Sequence, residues 1–513
     1  MSTSDRYQWR RDKDGLGVWE HRGKVAVAGV GHSAVDRRWD GVSMDKTLGA
    51  YSILACRKAM DDAGVTPDQI EGVICCDSHI AGGSGGSASQ WAPRPYFAPP
   101  YDSEWGLTLV NAQWLIEQMG LRNVKFAPTG VPTISEMVGM AAQAVGDGQC
   151  HTCLVIYATG NLEGRYRRGG ENADDYARGA RQWAAPWGNH GGNDFINIFP
   201  HNQYCLKYGG KHDDLAPFVV NQHRNGLLTP WGYNATHKVP QLTVEDYINS
   251  RYILNPLRLW DCDRPVNASA AYLFTTAERA RDMQQPPVYV LNHSQHNFRK
   301  RSTQEDLDEI EDWTDRAARR MYGGAGLGPK DVDIFNPYDG YAPMAQFFLE
   351  GFQWHGVNRG DAFAFYAGDI RVEGPHPFCS SGGTLGNGRT PHGHVHRQHR
   401  AAPRHGWRTP GQGSGRDCAG GIHHAEQWRL DHVRQTSELT ACDTGDHRLA
   451  AITLRPSGPR SSLTPAAPRS NQSRPGASRS TMNRCWPCWS RVRQAAALRR
   501  PAAARWRCRP ACG

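Results

Sequence analysis

The chain repeats itself, and this repeat restricts the folds open to it more than any other feature. Residues 63–77 read AGVTPDQIEGVICCD and residues 325–339 read AGLGPKDVDIFNPYD, so Ala63-Gly64 and Ala325-Gly326 mark the same point in two copies, 262 residues apart. In each copy Gly stops a helix, Pro sits in a turn, and an apolar run reads as a buried strand. Upstream of the first copy, KVAVAGVG at residues 24–31 reads as another buried strand, and Leu48, Tyr51, Ala55, Ala59 and Met60 share one helix face. Upstream of the second, PPVYVLNHS is a strand and residues 303–321 form a helix, acidic first and basic later. A β-α-β unit duplicated within one chain predicts an α/β protein whose two halves pack side by side.

Between the copies, residues 160–253 are rich in Trp, Asn, Gly and His with little periodicity, which predicts a large loop excursion covering one face and shaping a pocket. NASAAYLFTTAERARDM then returns the chain to a strand and helix that complete the first half. The expected organisation is an N-terminal extension at 1–23, a first half at 24–285 that includes the excursion, an incomplete second half at 286–390, and a tail at 391–513.

The tail is a different kind of sequence. From Pro391 to Gly513 it has 21 Arg, no Lys, 6 Asp+Glu, and neither Phe nor Tyr. Residues 1–390 are left with 38 basic against 44 acidic residues, so a −6 body and a +15 tail make up the overall +9. The body offers no basic surface for nucleic acid, and the tail lacks the apolar content to offset the entropy of ordering a core. Arg without Lys, among Ala, Pro, Gly and His, is what GC-rich coding DNA yields when read in a wrong frame. Back-translation from His392, read from the middle base of each codon, permits MAMFIDSIEQLRGTAG, an amphipathic helix, and RQVKGA further on. Residues 391–513 are therefore predicted to be an out-of-frame, disordered terminus; a genuine basic domain is the alternative.

Several motifs weigh little. CWPC at Cys485 to Cys488 and the HGHVHRQH tract lack the second ligand pair of a closed zinc site. GVGHS at Gly29 to Ser33 has no third Gly for a dinucleotide loop and reads as a turn, AGGSGGSASQ at 81–90 reads as a flexible loop, and His190, His201 and His223 lack metal spacing. No metal site and no phosphate-binding P-loop are expected. The N-terminus is charged with no apolar core, the 14 Cys show no regular spacing, and no run reaches the roughly 20 apolar residues of a membrane span, so the expected compartment is a reducing cytoplasm.

Five features together resemble the thiolase superfamily over about residues 24–390: the duplicated halves, the excursion after AAQAVGDGQCHTCLVIYATG, LTVEDYINSRYILNPLRLWDCDRP, NPYDGY after the second-copy strand, and SSGGTLGNGR. Within it the chain is most similar to the branch of sterol carrier protein X-like thiolases and lipid-transfer-type aldolases of steroid side-chain breakdown. The resemblance implies a thiolase-like fold, a coenzyme A thioester as substrate with no covalently bound cofactor, a homodimer, and an OB-fold, zinc-ribbon, acyl-CoA-associated partner.

The chain departs from the thiolase pattern where thiolase chemistry happens. A thiolase holds its acyl group on a Cys at the start of the helix that leads here into AAQAVGDG. Counting back from Ala141 puts that position at Val131, which cannot form a thioester; the nearby hydroxyls Thr133 and Ser135 read as helix caps. A thiolase also places His directly after GGxxxxG. Here Gly382, Gly383 and Gly388 fit and Arg389 follows, a guanidinium that cannot act as a base. The glycine loop is expected to bind a thioester or pantetheine arm, or else to be a plain tight turn, with Cys379 a small buried residue upstream. After the second-copy strand stand Tyr338 and Asp339, the expected catalytic residues, since in the aldolase branch a Tyr at this motif implies catalysis; Tyr341 reads as core. The expected activity is a retro-aldol cleavage of a β-hydroxyacyl-CoA, with acyltransferase-type thiolase chemistry or non-catalytic lipid or acyl-CoA carriage as alternatives.

Overall fold

The computed structural model describes residues 17–76, 110–129, 131, 134–160, 193–294 and 306–389, with short strand segments at 437–438, 443–444, 447–448 and 452–454. Residues 458–513 lie outside the described residues.

The first copy of the repeat is β1 (Val25–His32), α1 (Leu48–Ala63) and β2 (Gly72–Cys75). α2 (Ala112–Met119), α3 (Ile134–Gly146) and β3 (Thr152–Thr159) follow. The excursion supplies α4 (Asn193–Tyr208), α5 (Ala216–Leu227) and a small hairpin of β4 (Tyr252–Leu254) and β5 (Leu257–Arg258). β6 (Ala268–Thr276) closes the first half. The second copy is β7 (Val288–Val290), α6 (Leu307–Ala325) and β8 (Val332–Phe335), followed by α7 (Ala342–Gly351) and α8 (Gly383–Asn387). Of the tail, β9 (Ser437–Glu438), β10 (Asp443–Thr444), β11 (His447–Arg448) and β12 (Ile452–Leu454) are described.

The repeat is structural down to its caps. α1 ends at Gly64 with φ 72, where Gly64 N donates to Asp61 O and Val65 N to Met60 O (2.9 Å). α6 ends at Gly326 with φ 66, where Gly326 N donates to Gly323 O and Leu327 N to Tyr322 O (3.0 Å). Both are left-handed glycine stops that satisfy the last carbonyls of a helix. A one-turn helix opened by Pro67 or Pro329 then leads into β2 or β8. The helix expected at 303–321 begins instead at Leu307, where Asp306 accepts from Asp308 N (2.9 Å) and supplies the cap.

Eight of the described strands form one mixed sheet in the order β2-β3-β6-β1-β7-β9-β12-β8, and β4–β5 and β10–β11 pair separately. β1 lies antiparallel between β6 and β7, the first strand of each copy meeting at Val25–Val290. β1 and β3 are buried along their whole length, which accounts for their unbroken apolar runs. GVGHS is not a turn: Gly29 to His32 continue β1. Its glycines bring α1 onto the strand, since a Cβ at Gly29 or Gly31 would collide with the carbonyl of Ala59 or Ala55. Against expectation, the tail contributes a strand: Ile452–Leu454 pairs antiparallel with β8, Ile452 opposite Phe335.

The expectation of a loop excursion is corrected for its described part, which is largely helical. In α4, Ile198, His201 and Tyr204 are buried at spacings of three, and in α5 Phe218, Val219, Gln222, His223 and Gly226 line one face. Polar residues at core positions hide this periodicity from a reading that counts apolar side chains only. AGGSGGSASQ, Thr133, His190 and the CWPC and HGHVHRQH tracts lie outside the described residues.

Candidate active site

β8 ends at Phe335, and the next four residues turn into α7. Asn336 is fully buried and its Oδ1 accepts from Ser380 N (2.9 Å), tying the strand end to the glycine loop. Tyr338 is 3 % exposed and packs in the main core; its phenol lies over Gly340, where a Cβ would collide with the hydroxyl. Tyr341 is half-buried and stands at the N-cap of α7, not deep in the core.

Asp339 is fully buried, and its carboxylate is engaged from two sides. Oδ1 accepts from Thr384 N and Thr384 Oγ1, both 2.7 Å, while Oδ2 accepts from Gln222 Nε2 (2.8 Å) and Leu385 N (3.3 Å). These bonds anchor the first turn of α8 and hold α5 against it. They are the contacts of a positioning residue.

The glycine loop is held by protein atoms at every glycine. Gly382 has φ 89 and a Cβ there would collide with Gly226 N; at Gly383, φ 54, it would collide with the Asp339 carboxylate; at Gly388, φ 85, with Val266. The loop therefore spends its small residues on close approach to α5, Asp339 and β6's approach segment. Arg389 is 7 % exposed and its N donates to Arg264 O (2.8 Å). Cys379, fully buried with φ 46, has its thiol pushed up well above the ordinary range by burial and by Asp339, so it stays an unreactive thiol.

Val131 is 3 % exposed and belongs to the core ahead of α3, with Ile134 and Met137. Ser135 is buried inside the first turn of α3 and is not its cap. The structure thus brings Tyr338, Asp339, Gly382 and Gly383 together around α8, with Gly388 and Arg389 at its exit, and places Val131 in the hydrophobic core cluster. Sequence reading missed Gln222, Asn225 and Thr384. Asn225 Nδ2 donates to Cys379 O (3.3 Å), and the signal that could have found both α5 residues is the run NQHRN at positions that an amphipathic helix would fill with apolar side chains.

Burial holds His201 and His223 neutral, each pushed down to about 3. His201 Nδ1 meets Gln346 Nε2 at 3.2 Å, and His223 stacks edge-on to Trp260 at 4.8 Å. Among the described residues the only three grouped liganding side chains are Glu20, His21 and Asp147, where His21 Nε2 and Gln143 Nε2 already contact Asp147 Oδ1 at 2.7 and 3.0 Å.

Residues 294–396 match the family model described as thiolase C-terminal domain-like. The chain is 25% identical over 382 residues to a steroid side-chain-cleaving aldolase of Thermomonospora curvata, covering 71% of this chain and 86% of that protein. The fold is thiolase-like. Over 190 residues it is 34% identical to the 17-hydroxy-3-oxo-4-pregnene-20-carboxyl-CoA lyase of Mycobacterium tuberculosis, 36% of this chain and 48% of the lyase. The same fold is seen in the Ltp2-ChsH2(DUF35) aldolase, with a TM-score of 0.54, 22% identity, 72% of this chain and 86% of that one. It recurs in an acetyl-CoA acetyltransferase from Syntrophomonas wolfei, with a TM-score of 0.52, 12% identity, 85% of this chain and 99% of that one. No helix among the described residues of this thiolase-like chain is long and apolar enough to cross a membrane.

Proposed function

We propose that the chain is a thiolase-fold retro-aldolase that cleaves a β-hydroxyacyl-CoA with a bulky, steroid-like acyl chain into a ketone and a short acyl-CoA. The observation that carries the reading is Val131, an apolar core residue where acyl transfer needs a thiolate, together with Arg389 where it needs an imidazole. Relatives named as an aldolase and a carboxyl-CoA lyase support it. In a retro-aldol step the β-hydroxyl loses its proton, the Cα–Cβ bond breaks, and its electron pair passes into the thioester enolate, which is then protonated at Cα. No acyl-enzyme forms. Tyr338 relays the proton: a phenol, with an ordinary pKa near 10, is a poor base in water but a strong donor to an alkoxide within hydrogen-bond reach. Asp339 fixes the loop of Gly382, Gly383, Gly388 and Arg389 that borders the thioester.

The quaternary reading is a homodimer that works in the cytoplasm with an OB-fold, zinc-ribbon partner. The Ltp2-ChsH2(DUF35) aldolase, which carries the names of two proteins, supports a second protein of that kind. Residues 24–285 and 286–390 act as the two halves, with residues 391–513 out of frame, so turnover by this chain is expected to be weak. Resequencing the codons of Arg389 to His392 tests the frame: a single inserted or deleted base restoring MAMFIDSIEQLRG supports it, and its absence favours a basic terminal domain.

The function is tested by following ketone release from a β-hydroxyacyl-CoA. Release supports the aldolase. Tight binding without release makes the chain a carrier, and CoA-dependent acyl exchange makes it an acyltransferase.

A further inference from the structure

Arg264, whose carbonyl holds the exit of the glycine loop, carries a guanidinium with no counter-ion among the described residues. Arg264 is half-buried between the excursion and the approach to β6. Its Nη1 donates to Asn234 Oδ1 (3.1 Å), a neutral amide, and its guanidinium carbon lies 4.3 Å from the centre of the Tyr233 ring. Among the described residues no carboxylate pairs with it. Comparable guanidiniums in the same chain are paired: Arg258 with Asp213 at 2.9 Å, Arg316 with Asp312 at 2.6 Å and Arg359 with Asp315 at 2.5 Å. A cation partly withdrawn from water is retained when an anion answers it, and here the described residues supply none.

The surroundings deepen the deficit. Arg37 is close enough to repel Arg264, and burial with that repulsion pushes the Arg264 pKa down to about 10, still charged at neutral pH. His223, held neutral by burial and by Arg264 itself, offers no negative charge. Of the five N–H donors of a guanidinium, one meets an acceptor among the described residues, which leaves a planar fork suited to two oxygens of one anion. The place matters too, because the Arg264 carbonyl holds Arg389 N immediately after Gly388.

We propose that Arg264 is an anion-binding residue whose guanidinium takes a phosphate oxygen of a coenzyme A thioester entering along the glycine loop. The identity of the ligand rests on the CoA-thioester reading above; the site itself rests on the unanswered charge. A phosphate recognised this way can belong to coenzyme A or be free inorganic phosphate, and the two are separable.

The test is calorimetric titration of the full chain with coenzyme A, with pantetheine, which lacks the phosphates, and with inorganic phosphate, repeated for Arg264→Gln and Arg264→Lys. Arg264→Gln should weaken coenzyme A at least about ten-fold, leave pantetheine unchanged, and leave the melting temperature of the ligand-free protein equal or higher, since an unpaired charge has been removed. Arg264→Lys should recover part of the loss. Equal coenzyme A affinity in wild type and Arg264→Gln overturns the proposal while leaving the CoA-thioester reading intact. A lowered melting temperature with loss of both coenzyme A and pantetheine assigns Arg264 to structure and also overturns it. Binding of inorganic phosphate through Arg264 without binding of coenzyme A upholds the anion site and fails the CoA-thioester reading, and no binding of either anion by the wild type overturns both.

Discussion

The head of α3 and the loop that runs into α8 hold corresponding jobs in a thiolase-like fold, and this chain has furnished them in opposite ways. At α3 the position is Val131, a buried apolar residue of the same core cluster as Ile134 and Met137, whose own side chain can neither accept nor donate a proton. At α8 the side chains are Tyr338, Asp339, Gln222, Thr384 and Asn336, all nearly or fully buried; Asp339 is bonded to Thr384 and Gln222, Asn336 Oδ1 accepts from Ser380 N, and Gln222 Oε1 and Asn336 Nδ2 are buried without a partner among the described residues. Burying that many polar groups costs stability unless the network is satisfied, and this cost supports the proposal that α8 is the working place. The difference teaches that a reaction without an acyl-enzyme needs only the second of the two places, and the first can revert to core.

If the polar place is the working one, removing its anchor should do the most harm. Asp339→Ala leaves Thr384, Gln222 and Leu385 N–H without their acceptor and should destabilise the protein by about 3–5 kcal/mol in denaturant unfolding. An Asp339→Ala protein as stable as wild type would show that the loop is held by something else. Next in size is Tyr338→Phe, for which kcat should fall about 100-fold, or about 2.7 kcal/mol, with KM nearly unchanged in the ketone-release assay. Equal kcat would return Tyr338 to the core. Gly382→Ala forces a Cβ onto Gly226 N at φ 89 and should cost about 2 kcal/mol, read as a lower midpoint in urea.

A smaller effect comes from acid. His201 and His223 each have a folded-state pKa pushed down to about 3, against about 6.5 unfolded. The folded protein therefore binds fewer protons than the unfolded chain between these values. Stability from this source is complete above about pH 6.5 and is lost progressively as pH falls, by about 1.4 kcal/mol per histidine at pH 5.5. His201→Gln should flatten the acid limb of a stability-versus-pH curve, and an unchanged limb would remove His201 from it.

How much of this could be read in the sequence depended on which force set each residue. Ala63-Gly64 and Ala325-Gly326 were legible because helix stops demand Gly at positive φ, and β1 and β3 because strands buried on both faces leave unbroken apolar runs. α4 and α5 were not legible: Gln222, His223, Asn225 and His201 occupy core-facing positions for the sake of partners such as Asp339 and Gln346 that only the fold brings near. Asp339 was legible as part of a motif but not in its role, because Thr384 is 45 residues away and no spacing rule links them. Arg264 gave no local signal at all, since a missing counter-ion can be seen only in three dimensions.

The smallest expected effect is also the sharpest check on the comparison between the two places. Val131→Cys puts a thiol back at the head of α3, and the swap is close to volume-conserving, so stability should change by less than about 1.5 kcal/mol. A thiol alone is not a nucleophile at neutral pH. It needs a base, a nearby cation or a helix N-terminus to become a thiolate, and a second group to take the proton from the incoming coenzyme A. Burial of Val131 in the hydrophobic core raises a thiol pKa there, and in the proposed reading Arg389, which has no lone pair to give, stands where a thiolase carries His. Incubation of Val131→Cys with an acyl-CoA should therefore leave the protein mass unchanged and produce no acyl exchange. Accumulation of an acyl-enzyme would mean that α3 has kept its catalytic environment and lost only the sulfur, and the chain would then be a thiolase disarmed at one residue, with no separate aldolase chemistry to explain.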